Sequence, residues 1–308
     1  MPTLDRDNAI IHYEDIGSGE PIVLIHGFTV DSGYWTETGV AFRLAERHRV
    51  VLMDMRGHGR SEVTGNPPGF NARSMGDDLD ALADALKLES FHLLGHSTGG
   101  MVAVRYAMRR GDRLRSLLLL DTSSATSLIP QHDIPARRRF THGFAQQFLG
   151  RGWDELFRFF RAQPGPLLSG LDQHPDTEEL WETYEELARV NDPTTLAAFA
   201  RGFYWDPDFR RPQLRQIPCP TLVLVGEHDT VFRRPSDAMA EEIPDVRLVV
   251  LEGVGHMTAI EAPDRTIQAI QNFLRDPTAT PQEPPETSEI SPQEPTETPP
   301  PPATPPRG

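Results

Sequence analysis

Short runs of nearly unbroken Val, Ile and Leu recur through the first 125 residues: "AIIHY", "PIVLIHG", "RVVLMDM", "FHLLGHS" and "LRSLLLLDTSS". A strand with one wet face alternates apolar and polar residues. These runs stay apolar at consecutive positions, which requires cover on both faces of a sheet, as in parallel sheets. Between them lie segments with helical spacing. In "SMGDDLDALADALKL", a helix is predicted over 74–87, because Leu79, Leu82 and Leu86 recur at intervals of three and four and form one stripe. Ser74 is of the residue type that caps such a helix. Parallel strands joined by crossover helices make an α/β fold the expectation.

The strand signal stops near residue 127 and returns after 212. Four segments in the interval, "RRRFTHGFAQQFLG", "WDELFRFFRA", "DTEELWETYEELARV" and "PTTLAAFARGFYW", predict an all-helical insertion of four helices. "CPTLVLVGEHDTV" and "VRLVVLEGVGHM" then restore two buried strands, with a helix between them around 235–242. The last helix, "PDRTIQAIQNFLRD", offers Ile267, Ile270, Phe273 and Leu274 on one face. The expected organisation is a core of 1–126 and 213–276, a helical cap of 127–212, and a tail of 277–308. That tail holds 12 of the 29 prolines and almost no apolar side chain, which explains a hydrophobic fraction of only 38% for the whole chain. With so little apolar surface to offset the entropy of ordering, it is expected to be disordered, and no function is assigned to it.

A net charge of −15 argues against a nucleic-acid partner, since phosphate binding needs concentrated Lys and Arg. The N-terminus "MPTLDRDNAI" has neither a basic start nor an apolar run, and no stretch approaches the ~20 apolar residues that span a bilayer. No signal peptide and no membrane partner are expected, and the location is expected to be cytoplasmic. The single cysteine, Cys219, lies between two prolines and reads as a small buried filler. No cluster of His, Cys and carboxylates has metal-ligand spacing, so neither a metal nor an organic cofactor is expected.

The chemistry centres on "LLGHSTGGMV", residues 93–102, where Ser97 stands between Gly95 and Gly99. The Gly-x-Ser-x-Gly pattern alone is weak, and its context decides. A strand precedes the serine and a helix follows it, so Ser97 sits on a sharp turn above the sheet edge, at the positive end of a helix. The flanking glycines are needed there because side chains would strike the neighbouring strand or helix. A serine hydroxyl is a poor nucleophile at neutral pH and requires a histidine to take its proton and a carboxylate to orient that histidine.

Of 11 histidines, His256 fits best, because "EGVGHM" follows the last strand and opens a loop that can reach back over the sheet. His26, His58 and His96 read as structural, His96 because it should point away from its neighbour. His132, His142 and His174 lack a strand-end context. Asp229, in "VLVGEHDTV", is the preferred acid; Asp121, at the exit of "LLLLDTSS", is its rival, and Glu227 should face solvent. An oxyanion needs two backbone N–H donors. Thr98, directly after the serine, should supply one, and Phe28 in the turn "HGF" the other, with Gly27 permitting close approach.

At this point the chain resembles the alpha/beta-hydrolase superfamily over residues 3–276, through "HGF" at 26–28, "DMRGHGRS" at 54–61, "GHSTGG" at 95–100, and "GEHD" and "GHM" near the end. The order Ser97, Asp229, His256 is the order of that superfamily. The resemblance implies a mostly parallel, eight-stranded sheet with a helical cap, and implies that Asp54 and Arg56 brace a loop. Dehalogenases and epoxide hydrolases of the superfamily carry aspartate at the nucleophile position, and Ser97 argues against both. The "STGG" motif is similar to that of cofactor-free haloperoxidases and aryl esterases. Carbon–carbon bond hydrolases often place tryptophan after the histidine, where this chain has Met257.

The expected function is therefore a serine hydrolase that cleaves a small to medium, largely apolar carboxylic ester or lactone through an acyl-enzyme, as a monomer or weak homodimer. Cap aromatics, including Phe140, Phe144, Phe148, Trp153, Phe157, Phe160, Trp181, Phe203 and Trp205, should mostly hold the helices together, with a few lining the pocket. Three alternatives stay open: a cofactor-free perhydrolase, a carbon–carbon hydrolase or lyase on the same triad, and a slow-turnover ligand-binding signalling protein.

Overall fold

All seven apolar runs become strands. The computed structural model describes residues 2–66, 68–127, 129, 132–205 and 211–277. Its strands are β1 (Thr3–Arg6), β2 (Ala9–Gly17), β3 (Glu20–Ile25), β4 (His48–Met53), β5 (Glu62–Val63), β6 (Phe91–His96), β7 (Leu114–Leu120), β8 (Thr221–Gly226) and β9 (Val246–Leu251). Eight of them follow the order β1-β2-β4-β3-β6-β7-β8-β9, and the two-residue β5 pairs with β2 off that path. From β4 through β9 every neighbouring pair is parallel, whereas β1, β2 and β5 pair antiparallel. The sheet is thus mixed and mostly parallel.

The position of each strand accounts for its burial. Every residue of β6 and β8, in the interior of the sheet, is buried, as an unbroken apolar run requires. "VRLVVL" reads as an equally buried strand, but β9 is the edge, and only Leu251 of it is fully covered. The period of two sends alternate residues into two core layers. Ile22, Leu24, Leu94, Leu118 and Leu222 join one layer, and Val23, Ile25, Leu93, Leu117 and Val223 the other.

Helices α1 (Gly33–Glu37), α2 (Val40–Ala45), α3 (Ala72–Ala85) and α4 (Thr98–Arg110) come from the first half of the chain. Helix α3 begins earlier than its spacing suggests: the Asn71 side chain accepts the N–H of Ser74 at 2.8 Å, so Asn71 is the cap and Ser74 the capped donor. Between β7 and β8 lie five helices: α5 (Ile134–Phe148), α6 (Trp153–Ala162), α7 (Gly165–Gln173), α8 (Thr177–Arg189) and α9 (Pro193–Phe203). Four were expected. The extra helix, α7, starts within "PGP", in a segment assigned no element from the sequence; proline in a first turn forfeits no hydrogen bond, and Leu168 and Leu171 bury its inner face. Helices α10 (Arg233–Glu242), α11 (Thr258–Glu261) and α12 (Pro263–Arg275) complete the fold. Ile267, Ile270 and Phe273 form the buried face of α12. Apart from residue 277, the tail lies outside the described residues. Among the described residues no helix is long and apolar enough to cross a membrane.

Candidate active site

The parallel strands all end at one sheet edge, and the loops there carry the residues singled out in the sequence. Ser97 links β6 to α4 with φ +50° and ψ −116°, a conformation that non-glycine residues rarely adopt. Its surroundings hold it there. The Ser97 N–H donates to the Leu120 carbonyl at 2.9 Å, and the Thr122 hydroxyl donates to the Ser97 carbonyl at 2.6 Å. The glycines fit for the reason anticipated: a Cβ on Gly95 would lie 2.5 Å from the Gly99 carbonyl oxygen, and one on Gly99 would lie 2.5 Å from that of Ile25.

His256 Nε2 lies 3.1 Å from Ser97 Oγ, and His256 Nδ1 lies 2.7 Å from Asp229 Oδ2. A carboxylate accepts from Nδ1–H, which leaves Nε2 as the basic nitrogen facing the serine hydroxyl. The second Asp229 oxygen accepts the N–H groups of Val231 at 3.0 Å and Phe232 at 2.9 Å, which fixes the plane of the carboxylate. All three side chains are buried or nearly so. The rival Asp121 is turned elsewhere: it accepts the Gly226 N–H at 3.0 Å and the Thr258 hydroxyl at 2.6 Å. Burial, reinforced by Asp229 nearby, pushes its pKa well above the usual carboxylate range. Glu227 is exposed, as expected.

The other strand-end histidines pack. His26 Nε2 accepts the Met55 N–H at 3.0 Å, so its Nδ1–H donates to the Gly27 carbonyl at 2.7 Å. His58 meets the Phe199 ring edge-on at 4.6 Å, and burial pushes its pKa down to about 3. His96 is structural but not remote: its ring stacks on Tyr34, and Nε2 lies 3.0 Å from the His256 carbonyl oxygen, holding the main chain of that residue. Two further contacts on His256 carry no signal in the local sequence. Phe232 stacks on the imidazole at 5.1 Å, and the buried Glu261 carboxylate accepts the N–H groups of Gly255 and Met257, on either side of it, at 2.5 and 2.9 Å. Only the tertiary fold brings these groups together.

Asp54 and Arg56 brace loops. Asp54 is bonded to His12 and to the N–H groups of Ser32 and Arg60, and Arg56 makes a two-pronged pair with Asp78 at 2.6 and 2.8 Å. Cys219 is buried, and burial pushes its thiol up to about 12.

The two backbone positions expected to bind an oxyanion flank the serine. Thr98 opens α4, and the turn carrying Phe28 abuts Ser97 so closely that a Cβ on Gly27 would lie 3.2 Å from the serine Cβ. Above them is a cavity of about 620 Å³, with Ser97 and His256 in its wall. Of the aromatics named from sequence, Phe140, Phe144, Phe148 and Phe160 line it, while Trp153, Phe157, Trp181, Phe203 and Trp205 do not. Phe159, Tyr184 and Tyr204 line it as well. Among the described residues no Asp, Glu, Lys or Arg contributes to the wall. Among the same residues, no group of three or more His, Cys, Asp and Glu could hold a metal ion.

Known proteins share this arrangement of strands and loops. A family model described as the alpha/beta hydrolase fold matches residues 20–263. The chain is 30% identical to non-heme chloroperoxidase CPO-A1 of Kitasatospora aureofaciens, covering 88% of this chain and 95% of that one. It is 27% identical to a pimeloyl-[acyl-carrier protein] methyl ester esterase of Aeromonas hydrophila, over 86% of this chain and 99% of the relative. Among solved structures, a thermophilic esterase from Thermogutta terrifontis superposes with a TM-score of 0.73 at 29% identity, covering 88% and 95% of the two chains.

Proposed function

Because the chain belongs to the alpha/beta hydrolase fold family, we propose that it is a serine hydrolase of neutral, largely apolar carboxylic esters or lactones. The observation that carries this reading is the continuous hydrogen-bonded line Ser97–His256–Asp229, with separations of 3.1 and 2.7 Å, opening into the cavity. Ser97 Oγ attacks the carbonyl carbon while His256 Nε2 takes its proton. Asp229 holds the imidazole tautomer and stabilises the imidazolium. Negative charge gathers on the carbonyl oxygen, where the Phe28 and Thr98 N–H groups receive it; each such donor is worth on the order of 3 kcal/mol in the transition state. The tetrahedral intermediate collapses, His256 protonates the leaving alkoxide oxygen, and an acyl-Ser97 remains. Water, deprotonated by the same imidazole, releases the acid and restores the serine.

The insertion α5–α9 serves in this reading as a cap that closes the acyl or alcohol pocket. A wall without charged side chains cannot pair an ionic group, and burying one unpaired is costly, so neutral substrates are favoured. The resemblance to a chloroperoxidase favours one further reading, in which hydrogen peroxide replaces water in the second step and a peracid leaves.

The test is a panel of p-nitrophenyl esters of increasing acyl length, together with lactones, assayed with the wild-type protein and Ser97→Ala. Turnover that favours apolar acyl groups and is lost in Ser97→Ala is expected. Retention of turnover by Ser97→Ala would overturn the assignment, and peracid formation from acetate and peroxide would favour the second reading.

A further inference from the structure

The helical insertion touches the core at two places that the proposed chemistry makes sensitive. Tyr204, just after α9, places its hydroxyl 2.8 Å from the Thr98 hydroxyl. Tyr184, in α8, places its hydroxyl 3.0 Å from that of Thr29. Thr98 is the residue after the nucleophile, and Thr29 is the residue after Phe28. Each tyrosine of the insertion therefore reaches one of the two turns whose amides face the oxyanion.

We infer that Tyr204 and Tyr184 are positioning residues that fix those two turns, so that oxyanion stabilisation depends on the seated cap; this rests on the serine-hydrolase reading. Thr29 has φ +70°, a region that a β-branched residue avoids, so its surroundings must impose it. The insertion supplies those surroundings. Besides the Tyr184 hydroxyl, the Asn191 Nδ2–H donates to the Thr29 carbonyl at 2.9 Å, and Asn191 Oδ1 accepts the Gly59 N–H at 2.8 Å. The Tyr204 ring also meets Phe28 edge-on at 5.9 Å, so a single side chain of the insertion touches both oxyanion residues. Both phenols are protonated across the neutral pH range, and burial moves them further from ionisation, Tyr184 up to about 12 and Tyr204 upward as well. A role confined to packing needs only the rings. Two hydroxyl pairs, each ending beside an oxyanion amide, add direction to that packing, and a small misplacement of such donors is costly to catalysis.

The test is a double-mutant cycle on full-length protein, with p-nitrophenyl butyrate as substrate and a phenyl trifluoromethyl ketone as inhibitor. The ketone adds to the serine and places an oxyanion in the same site. Tyr204→Phe keeps the ring and removes the hydroxyl; it is expected to lower kcat by about 10- to 100-fold with KM held within about twofold. Ketone affinity should fall by the same factor. Thr98→Val should do the same, and the double variant should be no worse than either single, since both remove one contact. Tyr184→Phe and Thr29→Val should form a second coupled pair. Unchanged kcat, a change in KM alone, or losses that multiply would overturn the inference. Should Tyr204→Phe fail to fold, Thr98→Val approaches the same contact from the core and decides on the same readouts. A wild-type protein that forms no ketone adduct would instead overturn the hydrolase reading itself, whereas a normal wild type with indifferent tyrosine variants would overturn only this inference.

Discussion

At the scale of single residues, the two candidate acids differ in what their oxygens face. In Asp229 one oxygen is held by the Val231 and Phe232 N–H groups and must remain an acceptor. An asparagine in its place would therefore keep its oxygen there and turn its NH₂ toward His256, forcing the imidazole into the wrong tautomer. Asp229→Asn is expected to lower kcat by about 10³- to 10⁴-fold in an ester assay. Asp121→Asn should change it little, because neither Asp121 oxygen is bonded to His256: one accepts the Gly226 N–H and the other the Thr258 hydroxyl. The opposite result would move the acid to Asp121. A second carboxyl sets a pH dependence of stability. Burial, and then the Asp54 charge, raise the Asp31 pKa from 3.8 to about 6. The folded state then binds more protons than the unfolded state between about pH 4 and 6, so Asp31 costs stability progressively as pH rises through that window. Asp31→Asn, which preserves the oxygen that accepts the Gly33 N–H, should raise Tm at pH 7.5 and leave it nearly unchanged at pH 4. At this scale Ser97, His256 and Asp229 could be singled out in the sequence because each follows an apolar run that predicts a strand end, and the fold brings the three side chains within hydrogen-bonding reach. Phe232, Glu261 and the His96 contact were illegible, because they meet His256 only after separate loops have converged.

At the scale of elements, the register of α4 against β3 and β6 decides where Ser97 stands. Gly99 is the contact point, with the Ile25 carbonyl oxygen 2.5 Å from where a Cβ would be. Gly99→Ala must push the helix from the sheet and carry Ser97 away from His256. It is expected to cost about 1–3 kcal/mol in urea unfolding and to depress turnover further than that loss of folded protein accounts for. Full stability or full activity would show that the contact yields. The strands of the parallel sheet were legible because burial on both faces leaves only apolar residues. β1 and β5, four and two residues long, are too short to show a pattern, and half-buried β9 proved an edge although its sequence is as apolar as an interior strand. Helix α7 was hidden by its prolines and glycines, whose usual meaning as loop markers fails in a first turn.

At the scale of the whole molecule, the proposed function draws on the sheet edge, the insertion and the uncharged cavity together, with Ser97 and His256 from the core and most of the aromatic wall from α5–α9. The wall composition is the part that sequence could not settle, since Phe144 and Trp153 have the same character in the chain but opposite placements in the fold. The net charge of −15 is not gathered at the cavity, as no acidic residue among those described lines it. Removing residues 278–308, which contribute almost no apolar side chain, should leave ester turnover unchanged within about twofold. The most direct measurement is labelling with a fluorophosphonate followed by peptide mapping. A single phosphonyl adduct on Ser97, absent in Ser97→Ala and formed far more slowly in His256→Ala, is the expected result. Labelling that persists in Ser97→Ala, or a wild-type protein that stays unlabelled, would contradict a serine nucleophile activated by His256.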